Sequence, residues 1–221
     1  MNEFIDMFSN SDPASVSTSV KLLLLLTIFS LAPGILIMMT CFTRIIIVLS
    51  FVRTSLATQQ MPPNQVLIGL ALFLSFFIMA PTFSEVYEQG LQPLFDEEIT
   101  LDEAYENASA PLKDFMAQHT RQKDLALFLN YTQAESPETV QDIPLTTLVP
   151  AFAISELKTA FQMGFMIFIP FLIIDMAVAS VLMSMGMMML PPVMISLPFK
   201  ILLFVLVDGW YLITQSLLGG F

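Results

Sequence analysis

Six charged residues of this sequence lie inside or beside long apolar stretches: Arg44, Glu156, Lys158, Asp175, Lys200 and Asp208. A charge at the centre of a membrane-spanning helix costs about 2.5–3.5 kcal/mol on insertion scales. We therefore expect each of these side chains to face protein or water, or to lie outside the hydrocarbon layer. The charges either form ion pairs that only stabilise packing, or they hold subunits in register around a path.

Glu156 and Lys158 are two positions apart on a predicted helix, so their side chains point in different directions and cannot pair well with each other. Neither has an opposite charge at helical spacing, so each needs a partner elsewhere. We predict that both residues make contacts between subunits.

Catalytic chemistry has little support in this chain. Asp175 and Asp208 are the one candidate pair of membrane carboxylates, but they are 33 residues apart on different segments and have no supporting motif. A Gly-rich phosphate loop, a metal-binding pair of histidines and a Gly-x-Ser-x-Gly turn are all missing from the sequence. Cys41 is the only cysteine in the sequence and His119 the only histidine, so neither has a second residue of its type with which to form a disulfide or a metal site. We predict a protein that is not an enzyme, with no catalytic residue, metal or cofactor.

Methionine makes up half of the twelve residues from Met183 to Met194, against 16 in 221 for the whole chain. Met187, Met188 and Met189 stand in this window, shortly before two consecutive prolines. Methionine side chains are unbranched and polarizable and adapt to irregular partners, while the prolines end a helix. The pattern favours a deformable seal on a turn inside a membrane assembly. The alternative is ordinary core or lipid-facing filler.

Composition places the chain in a membrane. Hydrophobic residues make up 56% of it and charged residues 12%, and several apolar stretches reach the roughly 20 residues that span a bilayer. The net charge of −11 is concentrated between Glu85 and Asp142. This stretch contains thirteen acidic residues and three basic ones. Without a basic patch to neutralise phosphates, nucleic acid is excluded as a partner.

The predicted fold is an all-α integral membrane protein, in which two long kinked helical hairpins are joined by a small acidic helical domain. A polar acidic segment (1–20) precedes the first hairpin (21–83), the soluble acidic insert (84–144) and the second hairpin with the methionine-rich turn (145–221). The start lacks the basic region of a cleavable signal peptide. Arg44 and Arg53 border the first hairpin turn, so that turn is predicted to face the cytoplasm. The N-terminus, the insert and the C-terminus are then extracytoplasmic.

Local signals predict where helices begin and break. Thr100 and Glu103 match a capping box at the start of a helix over 101–118, and a second short helix fits 121–131. A further helix is predicted to start at Ser136-Pro137-Glu138. Breaks are predicted at Pro33-Gly34 in the first apolar stretch and at Pro81 in the second.

Five stretches of the chain carry a resemblance to one family. The stretch at 150–165, PAFAISELKTAFQMGF, is similar to the signature of the FliP family of flagellar type III export-gate membrane proteins. This family includes the R-type subunit of virulence type III secretion systems. TCFTRIIIVLSFVRTSL (40–56), PPNQVLIGLALFLSFFIMAP (62–81), FIPFLIIDMAVASVLMSMGMMMLPP (168–192) and SLPFKILLFVLVDGW (196–210) also resemble family segments. The insert and the N-terminus resemble those of Gram-positive members.

The resemblance implies a core subunit of the flagellar protein export gate in the bacterial cell membrane, at the flagellar basal body. FliP-like subunits assemble as a ring or helical homo-oligomer, a pentamer, with FliQ-like and FliR-like membrane subunits and other export apparatus proteins. Unfolded flagellar proteins cross the membrane through this pore, which sits unusually high relative to the bilayer. A methionine-rich loop closes the pore as a gasket, and Met187, Met188 and Met189 match that loop.

Two other functions fit the same residues. Broken helices and membrane charges are also features of a secondary transporter or an ion channel. The two hairpins show no convincing internal repeat, which argues against a transporter. A non-conducting scaffold that assembles other export components is the second alternative.

Overall fold

The computed structural model describes residues 20–221 except 21, 24–25, 28, 32–33, 36, 59, 133–136, 138 and 188. The chain divides into two compact units, Met1–Met38 and Met39–Phe221. In the first unit, every described residue from 20 to 38 is helical. Pro33, at the predicted break, lies outside the described residues, as do Ser136 and Glu138 at the predicted third helix start.

The second unit is helical, and the described part of the chain contains no β-strand, which confirms the predicted all-α class. Two long helical runs, Asn64–Phe95 and Leu145–Ser184, are long and apolar enough to cross a membrane, and a bent pair of shorter helices meets the same criterion when it is taken as one span. The elements in chain order are α1 Phe42–Ser55, α2 Asn64–Val86, a π-helix Tyr87–Leu91, α3 Gln92–Phe95, α4 Leu101–His119, α5 Gln122–Thr132, a 3-10 turn Val140–Asp142, α6 Leu145–Ser184, α7 Pro192–Leu206 and α8 Gly209–Leu218.

The predicted interruption at Pro81 is wrong, because α2 continues through this proline to Val86. Apolar helices tolerate proline where neighbouring groups and small local adjustments satisfy the freed backbone. The helix instead widens into the π-helix, which lies within the insert. A Cβ on Gly90 would lie 2.7 Å from the Cβ of Ala108 in α4, so glycine permits the close contact between these helices.

The insert follows its local signals closely. α4 begins at Leu101 with the predicted capping box, in which the Thr100 side chain accepts from the Glu103 backbone and the Glu103 carboxylate accepts from the Thr100 backbone N–H. The Thr100 backbone N–H and then its hydroxyl hold the pKa of the Glu103 carboxyl below its ordinary value. Pro111 lies inside α4 without splitting it. The predicted second helix is α5.

The core of the second unit is built around α1. Ile45, Val48, Leu49 and Val52 are fully buried and follow the i, i+3, i+4, i+7 spacing of one helix face. They cluster with residues of α2 and α6, which lie on either side, including Leu67, Ala71 and Ala160. Each such side chain contributes about 1.5–3 kcal/mol when fully buried. This face holds α1 against the middle of α6, where the charged residues lie.

Replacement of Gly164 by alanine should destabilise the unit by about 1–3 kcal/mol, the usual cost of overpacking a well-filled core. A Cβ on Gly164 would lie 2.4 Å from ring atoms of Phe51 and 2.9 Å from its Cβ, so α1 and α6 would have to separate. Thermal unfolding in mild detergent measures the change. Gly69→Ala in α2 is the matched control, because a Cβ there meets nothing within 4 Å. Equal unfolding temperatures for Gly164→Ala and wild type would contradict this reading of the packing.

Candidate functional site: ion pairs along the long helix and the methionine turn

Helix α6 carries three of the six charged residues singled out above: Glu156, Lys158 and Asp175. Its 40 residues run without a break through Pro150 and Pro170. At 1.5 Å per residue the helix is about 60 Å long, twice the roughly 30 Å hydrocarbon core of a bilayer. Glu156 and Asp175 are separated by about 28 Å along this axis. The helix therefore presents two separate charged sites, and a bilayer alone cannot cover its length.

The first site is a buried ion pair between α1 and α6. Arg44 is 4% exposed and Glu156 0%. The Arg44 Nε–H donates to Glu156 Oε2 at 2.8 Å, and Arg44 Nη2 contacts Oε1. Arg44 Nη1 donates to the Gly220 carbonyl at 2.8 Å, and the Phe221 ring centroid lies 3.8 Å from the guanidinium carbon. A single arginine therefore joins α1, α6 and the residues after α8.

This pair removes the reason for expecting Glu156 at a subunit contact. That expectation depended on the lack of a partner on its own helix, but the partner lies on another helix, 112 residues away in the chain. The bidentate geometry and full burial leave the Glu156 carboxylate already occupied. The subunit contact stays a prediction for both Glu156 and Lys158, and Arg44 is the partner that Glu156 has within the chain.

The second site joins α6 to α7. Lys200 Nζ donates to Asp175 Oδ2 at 2.7 Å, and the Ser196 hydroxyl donates to the other carboxylate oxygen. Ser196 and Lys200 are one helical turn apart, so both reach the same carboxylate. Lys200 is buried and Asp175 half-buried. The lysine charge is thus neutralised within the chain, close to the methionine turn.

A third polar network joins the insert to α6. No residue spacing in the sequence predicts it, because its partners are far apart in the chain. The Ser155 hydroxyl donates to Asp124 Oδ2 at 2.6 Å, and the Arg121 backbone N–H donates to Ser155 Oγ at 3.1 Å. The Arg121 side chain pairs with Asp124. Burial raises the pKa of Asp124, but the Ser155 hydrogen bond and the Arg121 charge outweigh burial, and the pKa lies below its ordinary value.

Lys158 and Asp208 are exposed in the chain. The Lys158 ammonium lies beside Lys123 and near Arg121, and the described residues place no carboxylate in an ion pair with it. Asp208 stands at the 61° bend between α7 and α8 with a left-handed φ of 51°. Aspartate adopts this conformation more readily than most residues. Asp208 is thus a bend residue in this structure, and the alternative that it holds subunits in register stays a prediction.

The methionine turn links α6 to α7. The Gly186 N–H donates to the Met183 carbonyl and the Met187 N–H to the Leu182 carbonyl, which is the Schellman pattern of a helix end. Gly186 has a φ of 75°, which favours glycine. Met187 is 46% exposed and Met189 99%, while Met188 lies outside the described residues. Met187 and Met189 thus contribute little to the core of their own chain.

These helices define an all-α membrane protein. The model of the FliP family matches residues 25–217, a region that contains all six charged residues and the methionine turn. The chain belongs to the FliP family. It is 79% identical over 221 residues to a flagellar biosynthetic protein FliP of Bacillus subtilis (strain 168), with all of both chains covered. It is 55% identical over 202 residues to the Caulobacter vibrioides protein of the same name, which covers 91% of this chain and 76% of that one.

Proposed function

We propose that the chain is a core subunit of the flagellar protein export gate, in which several copies and companion FliQ-like and FliR-like subunits surround a pore for unfolded flagellar proteins. Membership of the FliP family and the name of the relatives, flagellar biosynthetic protein, support a role in flagellar export. The observation that supports the pore is the methionine turn, in which the Met187 and Met189 side chains are exposed and can contact other copies.

Assembly follows from the apolar surface that the chain leaves uncovered. Exposed aromatic side chains line α2 and α6: Phe73, Phe76, Phe77, Phe161 and Phe165. Because α6 is about twice as long as the hydrocarbon core, part of this surface must be covered by protein. A ring or helix of copies, a pentamer in our proposal, supplies that cover.

The methionine turn acts in this proposal as a gasket. Thioether side chains are flexible and polarizable, so several turns can close against one another at rest and deform around a passing chain. Contacts of this kind have little sequence preference, as a path for diverse substrates requires. The Asp175–Lys200 pair joins α6 and α7, the two helices that flank the turn.

The charges divide into two groups in this proposal. Arg44, Glu156, Asp175 and Lys200 pair within the chain and keep the helices together. Lys158 and Asp208 are exposed and are proposed to contact other subunits. In the membrane we place the N-terminus, the insert and the C-terminus on the extracytoplasmic side, with several passes formed by 21–83 and 145–221.

A transporter or channel is the second candidate, because the bend at Asp208 breaks an apolar helix beside charged residues. Native mass spectrometry in mild detergent separates the candidates when the chain is co-expressed with its neighbouring membrane proteins. A ring-sized homo-oligomer that carries small companion subunits is the expected result. A monomer or dimer without companions would contradict the export gate and favour the transporter, to be followed by ion-flux assays on Asp175 and Lys200 variants.

A further inference from the structure

A group of positive charges forms where the insert meets α6. Arg121 and Lys123 lie at the start of α5, and Lys158 lies on α6, with its ammonium beside that of Lys123. Asp124 is the nearby carboxylate, and it is already bound by Arg121 and Ser155. Three cations therefore share one carboxylate, in a chain whose net charge is −11. We call Arg121, Lys123 and Lys158 the basic cluster.

Among the described residues, the basic cluster has more positive than negative charge. Two neighbouring ammonium groups repel each other unless an anion lies between them. The Arg121 side chain is already paired with Asp124. A carboxylate next to Lys123 and Lys158 would remove the repulsion between their two ammonium groups.

An exposed group of carboxylates lies elsewhere on the same chain. Asp96, Glu97 and Glu98 are consecutive residues of the turn between α3 and α4, and all three are exposed. Within the described residues their side chains form neither an ion pair nor a hydrogen bond with another group. We call these three residues the acidic turn. It is the longest run of consecutive carboxylates in the sequence.

Apolar side chains border both groups. Phe95, directly before the acidic turn, is 72% exposed. Ile154 and Phe161 stand four residues before and three after Lys158, which places them on the same face of α6, and both are exposed. An interface usually combines an apolar centre with charges at its rim. The acidic turn with Phe95 matches the basic cluster with Ile154 and Phe161 in both charge and apolar character.

We infer that the basic cluster of one copy binds the acidic turn of the next copy. The two surfaces are different parts of the chain, so the contact is heterologous, and repetition of a heterologous contact produces a closed ring or an open helix. This inference rests on the proposed function, which requires such an assembly, and it names the polar contact that sets the register between copies. It also gives Lys158 its subunit partner.

Zero-length carbodiimide crosslinking of the assembled wild-type complex tests the contact. The reagent joins an ammonium to a carboxylate only when the two touch. We expect a dimer band on a denaturing gel in which mass spectrometry finds Lys123 or Lys158 linked to the peptide that contains the acidic turn. A dimer band whose links exclude both lysines would overturn the inference.

Charge reversal gives an independent result. Lys123→Glu with Lys158→Glu places like charges in contact, and we expect the dissociation constant of the oligomer to rise about tenfold or more. Glu97→Lys with Glu98→Lys should have the same effect. All four changes together should restore the oligomer, which misfolded variants could not do. Glu106→Lys is an exposed-charge control and should leave it intact.

The outcomes separate this inference from the proposed function. Wild-type protein that is monomeric in native mass spectrometry overturns both. An oligomeric wild type that the two charge reversals leave unchanged overturns the inference alone. So does a phospholipid adduct that Lys123→Glu with Lys158→Glu removes while the oligomer persists, because the anion at the cluster would then be a lipid phosphate.

Discussion

Cells that carry Met187→Ala, Met188→Ala and Met189→Ala together should leak small solutes through the assembled gate at rest. Each substitution removes an unbranched side chain from a turn in which Met187 and Met189 point away from their own core. Alanine is too short to meet the corresponding turn of another copy, so the closed state would retain an open channel. Leakage is measured as uptake of a small membrane-impermeant solute, with assembly checked by native mass spectrometry.

Two comparison variants sharpen this result. Met61→Ala removes an exposed methionine from the turn between α1 and α2 and should leave the membrane tight. Replacement of the three turn methionines by leucine keeps the apolar volume and should preserve the seal at rest, because such volume-conserving changes are tolerated best. A fully assembled alanine variant with the leakage of wild type would sink the gasket proposal.

Glu156→Gln should have the largest effect on stability. The change leaves the Arg44 guanidinium buried opposite a neutral amide, and breaking a buried pair on one side costs about 3–5 kcal/mol. A typical domain has only about 5–15 kcal/mol of net stability, so we expect a strong fall in unfolding temperature and in the amount of protein in the membrane. Thermal unfolding in detergent and quantitative immunoblotting measure the two quantities.

The partner residue supplies the control for this prediction. Arg44→Met combined with Glu156→Met removes both charges, and buried pairs replaced by apolar residues are often as stable as the original. We expect the double variant to recover most of the stability lost in Glu156→Gln. Arg53→Met, at a half-buried arginine on the same helix, should cost less than about 1 kcal/mol. If Glu156→Gln unfolds at the same temperature as the wild type, the ion pair contributes little to stability.

Features set by neighbouring residues could be predicted from the sequence. The capping box at Thr100 and Glu103 acts within one turn, and α4 begins where it predicts. The apolar length that defines α6 is likewise visible in the sequence. The bend at Asp208 has a local signal in the Asp-Gly dipeptide, which often marks a turn.

Features set by distant residues could not be predicted. The partner of Glu156 is 112 residues away, and no pattern in one sequence connects the two positions. The hydrogen bond from Ser155 to Asp124 depends on how the insert folds back onto α6. The predicted helix break at Pro81 is wrong for a related reason. Whether a proline ends a helix depends on the groups that surround the freed backbone carbonyl.

The length of α6 also bears on how much of this protein a cell can maintain in folded form. A high hydropathy shows that a segment avoids water. Such a segment can be covered by an apolar protein surface as well as by lipid. About half of the 40-residue helix exceeds the thickness of a bilayer core, and in the proposed assembly neighbouring subunits cover that excess. Surplus copies would expose that half to water and become substrates for quality-control proteases. The amount of folded protein would then follow the number of gates under construction rather than the rate of its own synthesis.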